Sequence, residues 1–209
     1  MIRRIFLYSI SLAPFLGLVH TTMAQELSTE GQEKSFSPLF NGKDLTGWRL
    51  LRSGATNWVV REAALVNERA GANIVTEERF RDFELRYQYM IPKNSNSGVY
   101  LRGRYEVQID DNFGKPPRVS GDGAIYGEIA PRENATLPPG QWNDMRITLI
   151  GRTVTIIQNA KRTIDQREIV KPTLGALDGD VDEPGPIYLQ GDHGPVTFRN
   201  IRIRRIPSR

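Results

Sequence analysis

Between residues 83 and 111 apolar and polar residues alternate with a period of two, and no stretch repeats apolar residues at i, i+3, i+4 and i+7 over three turns. Period-two alternation sends successive side chains to opposite faces of a strand, so β-structure is what this chain has to build a core from. In Phe83–Met90, Phe83, Leu85, Tyr87 and Tyr89 share one face and Glu84, Arg86 and Gln88 the other. Further strands are expected at Trp58–Arg61 and at 65–67, 73–76, 124–126, 142–149, 154–158, 161–167, 187–190 and 196–204. Glycine- and proline-rich loops at 111–123 and 131–140 separate some of them. About a dozen short strands with such turns predict an all-β fold, a sandwich of two antiparallel sheets or jelly roll. Without an internal repeat, propellers and solenoids are disfavoured.

The termini set the compartment. Arg3 and Arg4, an apolar run from Ile5 to Val19 and the small residue Ala24 make residues 1–24 a signal peptide. Ser9, Ser11 and Pro14 interrupt that run, which is too short to span a bilayer stably. Residues 25–35, QELSTEGQEKS, read as a flexible leader, and 36–209 as one domain. The protein is expected to be exported, periplasmic or secreted, with no membrane attachment after cleavage. The chain holds no cysteine, which excludes disulfides, thiolate metal sites and a lipidated cysteine. Once Arg3 and Arg4 leave, 26 basic residues face 24 acidic ones, and a net charge of +2 is no nucleic-acid footprint.

Residues 94–111, NSNSGVYLRGRYEVQIDD, carry the chemistry. They predict two strands joined at Gly103-Arg104, with Val99 and Leu101 on one face and Tyr100 and Arg102 on the other. In the second strand Tyr105, Val107 and Ile109 pack inward while Glu106, Gln108 and Asp110 project together. A salt-bridged, solvated face is the plain alternative; neighbouring carboxylates beside a cation can instead divide acid and base roles. The only histidine of the mature chain, His193, sits between Gly191-Asp192 and Gly194, a turn that gives it polar access. The acidic run Asp178 to Glu183 starts like a calcium loop, but its sixth position is Glu183 and its twelfth Leu189. An exposed acidic loop is the simpler reading. No cofactor is expected, and the carboxylates leave a divalent metal open.

Six blocks in order, LFNGKDLTGW, DFELRYQY, NSGVYLRG with YEVQIDD, GAIYG, GQWNDMRI and IYLQGDHGPVTFRNIRIRRI, resemble the 3-keto-disaccharide hydrolase domain family. The likeness covers about residues 36–206. It implies a concanavalin- or laminin-G-like jelly roll with a pocket on its concave face, acting on glycosides whose glucose ring carries a ketone at C3. Carried onto this sequence, it points to Glu106, Asp110 and His193 as catalytic and to Arg102 and Gln108 as substrate-binding; Tyr100 and Tyr126, as aromatic stacking surfaces, are expected to bind substrate beside them. Glu62-Ala63 and Asn159-Ala160 depart from the family's Asp-Gly and Asn-Gly, which puts their turn geometry in question. Lyase and hydratase variants of the reaction stay open. The alternative from another class is a non-catalytic carbohydrate-binding jelly-roll module using Tyr100, Tyr126 and Trp142 as stacking surfaces.

Overall fold

In the computed structural model, which describes residues 35–53 and 56–207, all regular secondary structure is β. The expected signal peptide, residues 1–24, and all of the expected leader except Ser35 lie outside the described residues. The strands are β1 (Ser37–Pro38), β2 (Trp48–Leu50), β3 (Trp58–Arg61), β4 (Ala64–Asn67), β5 (Ile74–Thr76), β6 (Phe83–Met90) and β7 (Asn96–Leu101). They continue as β8 (Tyr105–Asp110), β9 (Asn143–Ile150), β10 (Thr153–Gln158), β11 (Lys161–Glu168), β12 (Tyr188–Leu189) and β13 (Val196–Arg205). The large sheet runs β11-β10-β9-β6-β13-β4-β3, with β1 added along β13, and the small one runs β2-β5-β12-β7-β8. Every pairing is antiparallel.

The expected alternation builds the core. Phe83, Leu85, Tyr87 and Tyr89 of β6, Met145, Ile147 and Leu149 of β9, and Val99, Leu101, Tyr105, Val107 and Ile109 of β7 and β8 belong to one apolar cluster shared by both sheets. Each fully buried aliphatic or aromatic side chain there contributes about 1.5–3 kcal/mol. In β13 the register shifts between Arg199 and Arg202, with Asn200 at φ 54°. That bulge resets the parity, so Phe198 and Ile201, three residues apart, both point inward.

Two short strands, β1 and β2, escaped the sequence reading because two or three residues show no period. Residues 124–126 form no strand, but Ile125 bridges Val107 and Ile129, and this segment runs along the free edge of β8. The unusual turns keep left-handed geometry: Glu62 and Ala63 have φ 49° and 57°, Asn159 and Ala160 49° and 64°. Two consecutive positive φ values match the type I′ hairpin turn, where alanine costs about 1 kcal/mol relative to glycine.

Arg102 departs from its expected position. β7 ends at Leu101, and Arg102 takes φ 54°, so alternation stops before it. Its side chain is 1% exposed and donates Nε to Arg81 O (2.6 Å), Nη1 to Val181 O (3.1 Å) and Nη2 to Asp82 Oδ1 (3.0 Å). Arg104, equally buried, pairs with Asp178 and donates Nη1 to Glu183 O at 2.7 Å. The two arginines thus tie down the acidic 178–183 loop, Arg102 through the Val181 carbonyl and Arg104 through the Asp178 carboxylate and the Glu183 carbonyl.

Candidate active site

On the small sheet's outer face one lateral row takes a residue from each strand: Arg49, Val75, Tyr188, Tyr100 and Glu106. Glu106 ends the row beside a cavity of about 280 Å3. Asn96, Tyr100, Gln108, Tyr126, Tyr188, Gln190, Asp192 and His193 line it, and Leu174 and Gly175 form its rim. Parity on β7 and β8 supplies Asn96, Tyr100, Glu106 and Gln108. The edge segment supplies Tyr126, whose N–H donates to Glu106 O at 3.0 Å. β12 supplies Tyr188, and the chain after it supplies Gln190, Asp192 and His193, with Gln190 N donating to Gly98 O at 2.9 Å.

Glu106 is 4% exposed, and burial pushes its carboxyl up to about 7 against the opposing pull of Tyr100 and His193. The Tyr100 hydroxyl lies 2.9 Å from both Glu106 Oε2 and Leu174 O, yet it has a single proton. With Glu106 ionised, the phenol donates to Oε2. With Glu106 neutral, the carboxyl donates to the phenol oxygen and the phenol proton turns to Leu174 O. Both protonation states are therefore hydrogen-bonded, as a proton-transfer group requires. With the Gln108 amide nitrogen turned to Glu106, it donates to Oε1 at 3.1 Å and to Ser97 O at 3.3 Å, while its oxygen accepts from Asn96 Nδ2 at 3.0 Å. Burial, reinforced by nearby carboxylates, also pushes the Tyr100 and Tyr188 phenols up, so both stay protonated at neutral pH.

Opposite stands a second chain of contacts. His193 Nδ1 lies 2.7 Å from Asp192 Oδ1, and Asp192 Oδ2 accepts from Asn73 Nδ2 at 2.9 Å. Asn73 Oδ1 in turn accepts from the Gly191 and Asp192 N–H groups at 2.7 and 3.1 Å. Burial opposes ionisation of Asp192, but the hydrogen bonds from Asn73 and His193 outweigh it and leave the carboxyl below its ordinary value. A proton on Nδ1 then directs the ring to Asp192 and leaves Nε2 for a ligand. Gln190, 6% exposed, has no partner for its Oε1, an orphaned acceptor on the cavity wall.

The structure therefore brings together Tyr100, Glu106, Gln108, Tyr126 and His193, and places Arg102 and Asp110 elsewhere. Asp110 shares Glu106's face but lies four residues farther along β8, roughly 13 Å at the usual rise. Its carboxylate accepts from Arg118 Nη2 at 3.1 Å, outside the cavity lining. Trp142 is also remote, beneath the Arg199 guanidinium at 3.9 Å. Asn96, Tyr188, Gln190 and Asp192 were missed, although GDHG drew attention to the last. Also missed was buried Asp122, which accepts from Tyr89 (2.5 Å), Thr136 (2.7 Å), Gln158 (2.5 Å) and the Asp110 N–H (3.0 Å), anchoring the end of β8.

Gly98, on β7 beside Gln108, makes room for the carboxylate. A Cβ there would press on Glu106 Oε1 and lie 2.9 Å from its Cγ. Glu106 is hemmed in by Tyr100 and Gln108, so Gly98→Ala should displace it and lower kcat/KM by about 10²-fold, with only a modest fall in melting temperature. Unchanged kinetics in that variant would mean that this placement of Glu106 is not needed.

Antiparallel strands in two sheets over one core, with a polar cleft on the smaller sheet's outer face, define a jelly-roll sandwich protein. The chain belongs to the 3-keto-α-glucoside-1,2-lyase-like domain family, whose sequence model matches residues 35–204. It is 22% identical to a 3-keto-disaccharide hydrolase of Bacteroides thetaiotaomicron over 79% of this chain and 77% of that one. A crystal structure from Parabacteroides distasonis, provisionally named a glycosyl hydrolase, is 32% identical with a TM-score of 0.69, covering 82% of this chain and 84% of its own. A second from the same organism, under the same provisional name, shares 21% identity with a TM-score of 0.72, covering 85% and 97%.

Proposed function

We propose that this protein is an exported carbohydrate-active enzyme that cleaves glycosides bearing a C3 ketone, by elimination across C1 and C2 followed by addition of water. The observation that carries the reading is a buried carboxyl tuned to about 7 sharing one small polar cavity with a carboxylate-held histidine. The family and the 3-keto-disaccharide hydrolase relative named above support the substrate class.

The C3 ketone acidifies the C2 hydrogen. Glu106 takes that proton, the electron pair of the C–H bond passes into an enolate, and its collapse expels the C1 oxygen. His193 protonates the departing oxygen through Nε2. Asn96 and Gln190, two amides on the wall, supply polar contacts for the enolate and the ring hydroxyls. Water then adds at C1, with a proton returned to C2, for net hydrolysis. Tyr100 and Gln108 hold Glu106 in place throughout. A binding module would have no use for a carboxyl poised between its two protonation states.

The test is incubation with a 3-keto-glucoside and with its unoxidised parent. Cleavage of the ketone alone, with deuterium from solvent appearing at C2, is expected. Because the base must be ionised and burial raises it, kcat/KM should climb with pH along a limb centred near 7. Equal cleavage of both compounds, or of the parent only, overturns the elimination mechanism.

A further inference from the structure

The outer face of the large sheet carries a polar cavity of its own, of about 520 Å3, on the sheet opposite the one that holds Glu106. Arg86 and Gln88 of β6, Asp144 of β9, and Asn200 and Arg202 of β13 line it, and Asn41 stands in the N-terminal segment that walls one side. We infer that this cavity and the arginine row running from it bind an acidic sugar of a uronate-containing polysaccharide, holding the protein on a polymer that the Glu106 cavity does not touch. The inference stands apart from the catalytic reading.

Strand register builds the row. Arg202 stands opposite Arg86, Arg86 opposite Arg146, Arg146 opposite Ile157 and Ile157 opposite Arg162. Four arginines thus lie on one line across five strands, roughly 19 Å long at the usual strand spacing. Like charges directly opposite each other destabilise a sheet, and here two successive strand pairs place arginine against arginine, a loss that a bound anion offsets. The outward charges of β6, β9 and β13 are Arg86, Arg146, Arg199, Arg202 and Arg204 against only Glu84 and Asp144. Glu84 is shared, accepting from Arg86 Nε at 2.7 Å and from Arg204 Nη2 at 2.6 Å, and Asp144 accepts from Arg146 Nε at 3.4 Å. The β13 bulge shapes the floor: with Asn200 at φ 54°, both Arg199 and Asn200 reach the outer side, and their Nε and Nδ2 donate to Gln88 Oε1 at 2.8 and 3.0 Å.

The mixture of groups selects the ligand. Guanidinium groups only donate and their planar fork matches a carboxylate, whereas ionised Asp144 only accepts. One ligand must then bring a carboxylate for the arginines and hydroxyl donors for Asp144, with further hydroxyls for the Asn200 and Gln88 amides. A uronate ring carries both on a single rigid body, and the cavity is large enough to hold one. The rest of the row, Arg146 and Arg162, reaches beyond the cavity to the next acidic units of the same chain. A bare phosphate surface supplies no donor for Asp144.

Calorimetry with trigalacturonate and with its methyl ester, which keeps the hydroxyls and loses the charge, tests the site. The acid should bind at least about tenfold tighter than the ester, and added salt should weaken only the acid. Arg202→Gln, inside the cavity, should weaken the acid by about tenfold, and Arg146→Gln, on the exposed part of the row, by about threefold, with the ester unchanged in both. If Arg202→Gln does not fold, Arg146→Gln decides alone. Acid and ester binding alike, no binding of the acid by the wild type, or variants that bind it as the wild type does overturns the proposal. Capture by phosphatidylglycerol vesicles without binding of the soluble acid also overturns it, in favour of a membrane surface.

Discussion

Glu106→Gln is expected to lower kcat on a 3-keto-glycoside by about 10³-fold, and also to make the protein more stable above pH 7. The two effects have one cause. A carboxyl that is ionised near 4.5 in the unfolded chain but only near 7 in the folded one binds more protons folded than unfolded between those values. Stability therefore falls as pH rises through that window, by about 3 kcal/mol at most. The amide removes the buried charge but keeps the shape, so the variant should melt a few degrees higher than wild type at pH 8, with the gain vanishing below about pH 4.5. Thermal unfolding across pH and single-substrate kinetics measure both. Retained turnover would remove Glu106 as the base, and a pH-independent gain would contradict the burial argument. Asp110→Asn serves as the control, since that carboxylate pairs with Arg118 outside the cavity.

Arg102→Ala should be the most destabilising single change at any position singled out from the sequence. It removes a guanidinium with a 1% exposed side chain and three hydrogen bonds, leaving Asp82 and two carbonyls without their partner. Breaking a buried pair in this way costs about 3–5 kcal/mol, or roughly 10 °C of melting temperature in a domain of this size. Gly151 N still donates to Asp82 Oδ1 at 2.8 Å, which softens the loss without replacing it. Turnover per folded molecule should drop far less than with Glu106→Gln. The reverse pattern, unchanged melting with lost turnover, would restore Arg102 to the substrate site.

Parity made much of the site legible. Tyr100, Glu106 and Gln108 occupy the outer face because Val99, Leu101, Tyr105 and Val107 must occupy the inner one. The same rule failed at Arg102, where a left-handed residue ends the alternation, and overreached at Asp110, since sharing a face says nothing about distance along the strand. The family blocks carried the resemblance through to the outline of the fold.

Alternation along the chain thus determined an all-β sandwich, its core residues and the outward face that holds Glu106. Only the tertiary structure decided that two-residue β12 lies between β5 and β7, which sets Tyr188 against Tyr100 and brings Asp192, held by Asn73, and His193 to the Glu106 cavity. The physical reason is that a side-chain period reports which way residues point within one strand. Which strands become neighbours is settled by closing two sheets over a common core, a balance of contacts between residues more than 80 positions apart that no local pattern records.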